Sequence, residues 1–158
     1  MACCRELFFI SNNMSHITKV KYVKADAAKM VEYIADVANH PAFVSALKSV
    51  DNLSGDSKEV GASWDWTYMM AGVELSGKAE TTGYMAGQSY SYKTTTGALS
   101  QWTYSVEPAE EGTKLTVDIE YEVPENVLGK IVDKMALEGI NDHEGEQAVE
   151  NLKAILEG

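Results

Sequence analysis

Apart from the adjacent Cys3 and Cys4 the chain has no cysteine, so no disulfide framework can be read from it and the redox compartment stays open. Proline is scarce as well, three in 158 residues, and no Pro- or Ser-rich linker or internal repeat divides the sequence. A single domain is expected, long enough to bury roughly 68–70% of its unfolded surface without a covalent or metal staple. No unbroken apolar run approaches the 18 or so residues of a membrane span. The early run Leu7-Phe8-Phe9-Ile10 is only four residues, short of the roughly 7–15 of a signal peptide, so a cytoplasmic protein is expected. Basic residues are few, 13 against 24 acidic, for a net charge of −11. Nucleic acid and anionic membrane surfaces, which need clustered Lys and Arg, are disfavoured as partners.

The imbalance is local. Residues 1 to 104 hold 10 acidic and 9 basic side chains, whereas residues 105 to 158 hold 14 and 4. The acidity reads as a solvated exterior, with Asp118, Glu120 and Glu122 on the wet face of a strand and most of the rest on the final helix.

Residues 1 to 15 read as a disordered N-terminal extension, and 16 to 158 as the domain. Met14, just before the first patterned segment, leaves open a start there or at Met1. From His16 to Lys24 the alternation puts Val20 and Tyr22 on one strand face and Lys19 and Lys21 on the other. Asp26 suits an N-cap for a helix over residues 27 to 38, carrying Met30, Val31, Ile34 and Val37 at helical spacing. Pro41 opens a second short helix reaching about Leu47.

From Lys48 to Val123, Gly61, Ala71-Gly72, Ala86-Gly87, Gly97 and Gly112 punctuate a run of antiparallel strands. Parity assigns Trp64, Trp66, Tyr68 and Met70 to one face, with Val73, Leu75 and Ala79, Tyr90 and Tyr92, Trp102, Tyr104 and Val106, and the alternating Leu115 to Val123. After Pro124 the helical period returns, with Val127, Leu128, Ile131, Val132, Met135 and Ala136 in one stripe and Ala148, Val149, Leu152, Ile155 and Leu156 in another. One helix over residues 126 to 156 would span roughly 45 Å, bending or loosening at Gly139 and Gly145.

This order, with Ala25-Asp26-Ala27-Ala28-Lys29-Met30-Val31, His40-Pro41-Ala42-Phe43, Val60-Gly61, Gly112-Thr113-Lys114-Leu115-Thr116 and the closing Leu152-Lys153-Ala154-Ile155-Leu156-Glu157, resembles the START and polyketide-cyclase-like superfamily (SRPBCC), polyketide cyclase/dehydrase-type branch. Phe43, where many relatives have tryptophan, and Asp26, where they often have proline, are mild departures. The resemblance implies an α+β helix-grip fold: a curved antiparallel sheet around a long C-terminal helix, two short helices after the first strand, and a cavity for an apolar molecule. It implies no particular reaction.

The residues themselves offer little catalysis. There is no Gly-x-Ser-x-Gly, no phosphate-cradling glycine loop and no paired metal-ligand spacing, so neither metal nor cofactor is expected. His16 at a strand start and His40 beside a helix start read as caps or exposed residues, and His143, between Asp142 and Glu144, is only a weak catalytic candidate against a solvated turn. The inner faces carry no buried carboxylate. Aromatic residues there are ordinary core more often than not, yet a dry core would have to satisfy many Tyr hydroxyls and Trp N–H groups at once. The leading expectation is binding of a small hydrophobic or aromatic ligand by Trp64, Trp66, Tyr68, Tyr90, Tyr92, Trp102 and Tyr104, with Met135 facing them from the helix and the helix glycines letting it flex. The alternatives are a cyclase or dehydratase using Tyr or His143 as acid/base groups, and an accessory module whose acidic last third meets a basic protein partner. A weak homo-oligomer also stays open.

Overall fold

The computed structural model describes residues 14–128 and 134–158. Seven strands form one antiparallel curved sheet: β1 (Met14–Val23), β2 (Leu47–Ser54), β3 (Ser63–Met70), β4 (Val73–Met85), β5 (Ser89–Thr94), β6 (Ser100–Ala109) and β7 (Gly112–Glu122), in spatial order β1-β7-β6-β5-β4-β3-β2. Between β1 and β2 lie α1 (Ala27–Ala35), a 3-10 turn (Val37–Asn39) and α2 (His40–Phe43); after β7 come α3 (Glu125–Leu128) and α4 (Lys134–Glu157). This is the expected α+β helix-grip architecture.

Local chemistry explains the element ends. Asp26 caps α1 by accepting from the Lys29 N–H at 3.2 Å. The helix stops at Ala35, before residue 38, because Asp36 turns extended and caps the next turn through the Ala38 N–H. Helix α2 likewise ends at Phe43, short of Leu47, where Val44 turns extended and leads the chain into β2. The β3–β4 hairpin turns on Ala71 and Gly72, both at positive φ (50° and 82°), the primed geometry that matches strand twist. The core is sealed where α1 packs on β5 and β6, with Met30, Ile34, Phe43, Tyr90 and Leu115 essentially inaccessible. Each contributes roughly 1.5–3 kcal/mol relative to exposure.

Three further expectations need correction. Strand β1 already begins at Met14, so Met14 and Ser15 belong to the sheet; the rest of the expected extension, residues 1–13, lies outside the described residues. The alternation in β1 holds, and it is the lysine face that turns inward: Val20 and Tyr22 are 46% and 62% exposed, while Ile17, Lys19, Lys21 and Val23 face inward. The lysines are drawn there by α4, where Lys19 pairs with Asp142 at 3.0 Å and Lys21 with Glu146 at 3.2 Å and Glu150 at 3.0 Å. Part of the acidity is thus an internal tie, not wholly solvated exterior. Finally, α4 runs unbroken through Gly139 and Gly145. Gly145 lies against β1, where a Cβ would sit 3.3 Å from Ile17 Cγ2, so its small size lets helix and strand approach. The expected stripe residues Ile131 and Val132 lie outside the described residues.

Candidate functional site

The sheet's inner face and α4 enclose an aromatic cavity. Its floor follows from strand register: Trp64 stands opposite Ala79, whose small side chain lines the cavity, and Trp66 stands opposite Gly77, where the indole and the Thr96 backbone take up the space a side chain would fill. Tyr92 of β5 pairs with Trp102 of β6, and their rings stack 5.8 Å apart at 11°. Trp64 meets Tyr92 edge-on at 5.5 Å. The cavity has a volume of about 90 Å³, room for several waters or a compact ring system.

Of the residues expected to bind ligand, Trp64, Trp66, Tyr68, Tyr92 and Trp102 line this cavity. Tyr90 and Tyr104 are buried but belong to the core beside it. The Tyr90 hydroxyl is already engaged, donating to the Ser57 carbonyl at 3.1 Å and lying 2.9 Å from Thr81 Oγ1. Met135 does not face the cavity: it is 78% exposed, being about 200° around the helix from Leu137, which opens the inward stripe. That stripe continues through Asn141, Gly145, Val149 and Leu152. His143 falls on the exposed side.

The cavity also holds residues that pattern reading passed over. His40 is buried, 1% exposed, and lines the wall; it is neither a cap nor a solvated side chain. Burial in this aromatic surround lowers its pKa to about 4. Asn141 donates to the Tyr121 hydroxyl at 3.1 Å, and Glu144, half-buried, accepts from Ser45 Oγ at 3.4 Å. Asn141 and Gly145 stand one helical turn apart and keep phase with Leu137. That spacing is legible only when polar and small residues are allowed on the inner face.

Burial raises the pKa values of Tyr68, Tyr92 and Tyr104, and moves Tyr90 up to about 12. These phenols remain protonated near neutrality, and that of Tyr90 donates a hydrogen bond. Among the described residues the Trp66 indole N–H has no acceptor, and the Tyr104 hydroxyl makes no hydrogen bond of normal geometry, although Tyr92 is near enough to act on its ionisation. Among the described residues no cluster of His, Cys, Asp and Glu is arranged to hold a metal ion, and no helix is long and apolar enough to cross a membrane.

A curved sheet closed by a C-terminal helix over an aromatic cavity defines a protein of the helix-grip class. The model of the family described as "Polyketide cyclase / dehydrase and lipid transport" matches residues 14–157, and the chain belongs to that family. No curated protein sequence matches. Among solved structures, ginseng major latex-like protein 151 from Panax ginseng is similar at TM-score 0.67 and 17% identity, over 92% of this chain and 99% of that one. The Zhui aromatase/cyclase from Streptomyces sp. R1128 is similar at TM-score 0.71 and 14% identity, over 91% and 94%. A protein from Thermus thermophilus reaches TM-score 0.74 at 12% identity, over 89% and 95%. At these identities the likeness is one of fold.

Proposed function

We propose that this protein binds a small hydrophobic or aromatic molecule between the sheet and α4, as a carrier or sequestering protein. The observation that carries the reading is the cavity wall itself: Trp64, Trp66, Tyr92 and Trp102 offer ring faces and edges around a hollow, with few polar groups among them. Family membership and the relatives' shared fold support it.

A cyclase or dehydratase fits less well. A general acid or base works best with a pKa near the working pH, whereas burial moves the cavity tyrosines up and His40 down to about 4. His143, the acid/base candidate from the sequence, is exposed and outside the cavity. An accessory role for the acidic last third is weakened because Asp142, Glu146 and Glu150 are engaged by Lys19 and Lys21.

The test combines native mass spectrometry of freshly purified protein with titration by a naphthalene-type probe, read by tryptophan fluorescence. Saturable quenching that a Trp102→Ala variant weakens by about tenfold supports the reading. No co-purified molecule and no saturable probe binding would sink it.

A further inference from the structure

We propose that the cavity selects ligands by charge, with Glu144 as the specificity-determining residue: it accepts aromatic molecules that are neutral or cationic at the mouth and turns away those ending in a carboxylate. This deepens the ligand-binding reading and rests on it.

Among the described residues the lining contains no Lys or Arg, and its charged residues are Glu122 and Glu144. Glu122 sits between the inward Tyr121 and Val123, so alternation assigns its side chain to the outer face. That leaves Glu144, on the same turn of α4 as Asn141 and Gly145. Its described partner is the Ser45 hydroxyl, and among the described residues no cation pairs with it. The nearby cations are committed elsewhere, Lys19 to Asp142 and Glu146 and Lys21 to Glu146 and Glu150.

Two further observations bear on the field inside. After burial itself, the Glu144 charge is the next cause raising the Tyr68 pKa, so the carboxylate acts on the cavity wall. His40 cannot serve as a counter-cation, because it is neutral and its Nε2–H is spent on the Ile34 carbonyl at 2.7 Å. An anionic ligand would therefore meet the half-buried Glu144 carboxylate and the negative faces of Tyr and Trp rings, with no cation among the described residues to offset either. A cationic group at the same place gains from both.

The experiment uses three ligands with one ring system: 1-naphthylmethylammonium, 1-naphthalenemethanol and 1-naphthoate, titrated at low salt by calorimetry and tryptophan fluorescence. The ammonium should bind roughly tenfold tighter than the alcohol and the carboxylate roughly tenfold weaker. Glu144→Gln should collapse most of that spread, and Glu74→Gln, which removes an equal charge from an exposed position of β4, should preserve it. Equal binding of all three, a preference for the carboxylate, or a spread that survives Glu144→Gln overturns the charge selection while leaving ligand binding standing. No binding by any of the three overturns both.

Discussion

His40 donates from Nε2 to the backbone carbonyl of Ile34 at 2.7 Å, fixing the ring's tautomer and anchoring α2 to the end of α1. The ring is walled by Phe43 and Tyr92, each with its centroid 5.4 Å away. Burial disfavours the imidazolium and places the folded-state pKa at about 4, against an ordinary 6.5.

The sign of the consequence follows from linkage. Between those two values the unfolded chain takes up a proton that the folded chain refuses, so stability present above about pH 6.5 drains away as pH falls toward about 4. The loss attributable to His40 should approach about 3 kcal/mol. Urea unfolding from about pH 7 to about pH 4.5 should show this decline, and a His40→Phe variant, less stable throughout, should be nearly flat over that window. NMR titration of the ring offers a check independent of the variant's folding: a His40 midpoint near 6.5 would refute the assignment.

Tyr90 and Tyr104 form a cross-strand pair with opposite hydrogen-bond fates. Tyr90 donates to the Ser57 carbonyl in a buried network in which Thr81 Oγ1 also donates to that carbonyl, at 2.6 Å. Tyr104 has no such partner among the described residues. Removing a bonded buried hydroxyl costs about 1–3 kcal/mol by stranding its partner, whereas removing an unsatisfied one is neutral or favourable. Tyr90→Phe should therefore lower the unfolding free energy by about 1–2 kcal/mol while Tyr104→Phe leaves it equal or higher. Equal losses from the two variants would contradict the hydrogen-bond assignment.

Lys21 should contribute at the upper end of what a surface cation does. Its side chain is 22% exposed and bridges Glu146 and Glu150, and the hydrogen bonds it donates to Glu150 and Glu146 raise its pKa. A double-mutant cycle with Lys21→Met and Glu150→Gln should give a coupling of about 0.5–1 kcal/mol that shrinks in high salt. Zero coupling at low salt would mean that the inward lysine face is held by something else.

The same ties explain what the sequence concealed. Strands β3 to β7 alternate as their apolar residues demand, because their inner faces are packed and a one-residue slip would expose them. That made the fold and five of the aromatic cavity residues legible. In β1 the rule fails, since Lys19 and Lys21 face inward toward acids more than 120 residues away in sequence, a pairing that only the fold creates. Helix α4 hides the site for a related reason. Its inward stripe carries Asn141 and Gly145 over the cavity, where an apolar search sees a gap, and this misled the phase enough to select Met135. His40 was hidden by composition alone: nothing in His40-Pro41 distinguishes a cap from a ring enclosed by aromatics contributed by distant strands.

Two glycines of similar standing in the sequence should respond oppositely to alanine. At Gly77 a Cβ would fall 2.1 Å from the Thr96 carbonyl oxygen and 3.0 Å from Trp66 Cζ2, so backbone must shift and the indole must move. Overpacking of this kind costs about 1–3 kcal/mol or more. At Gly139, inside α4, a Cβ meets nothing within 4 Å, and alanine should gain about 0.5–1 kcal/mol from helix propensity. In a chain of this size Gly77→Ala should lower Tm by several degrees and Gly139→Ala raise it by about 2–4 °C. Because the displaced Trp66 ring lines the cavity, Gly77→Ala should also weaken naphthalene-probe binding, and Gly139→Ala should not. A Gly77→Ala protein with wild-type Tm and probe affinity would show that the close approach of Thr96 to β4 does not shape the cavity wall.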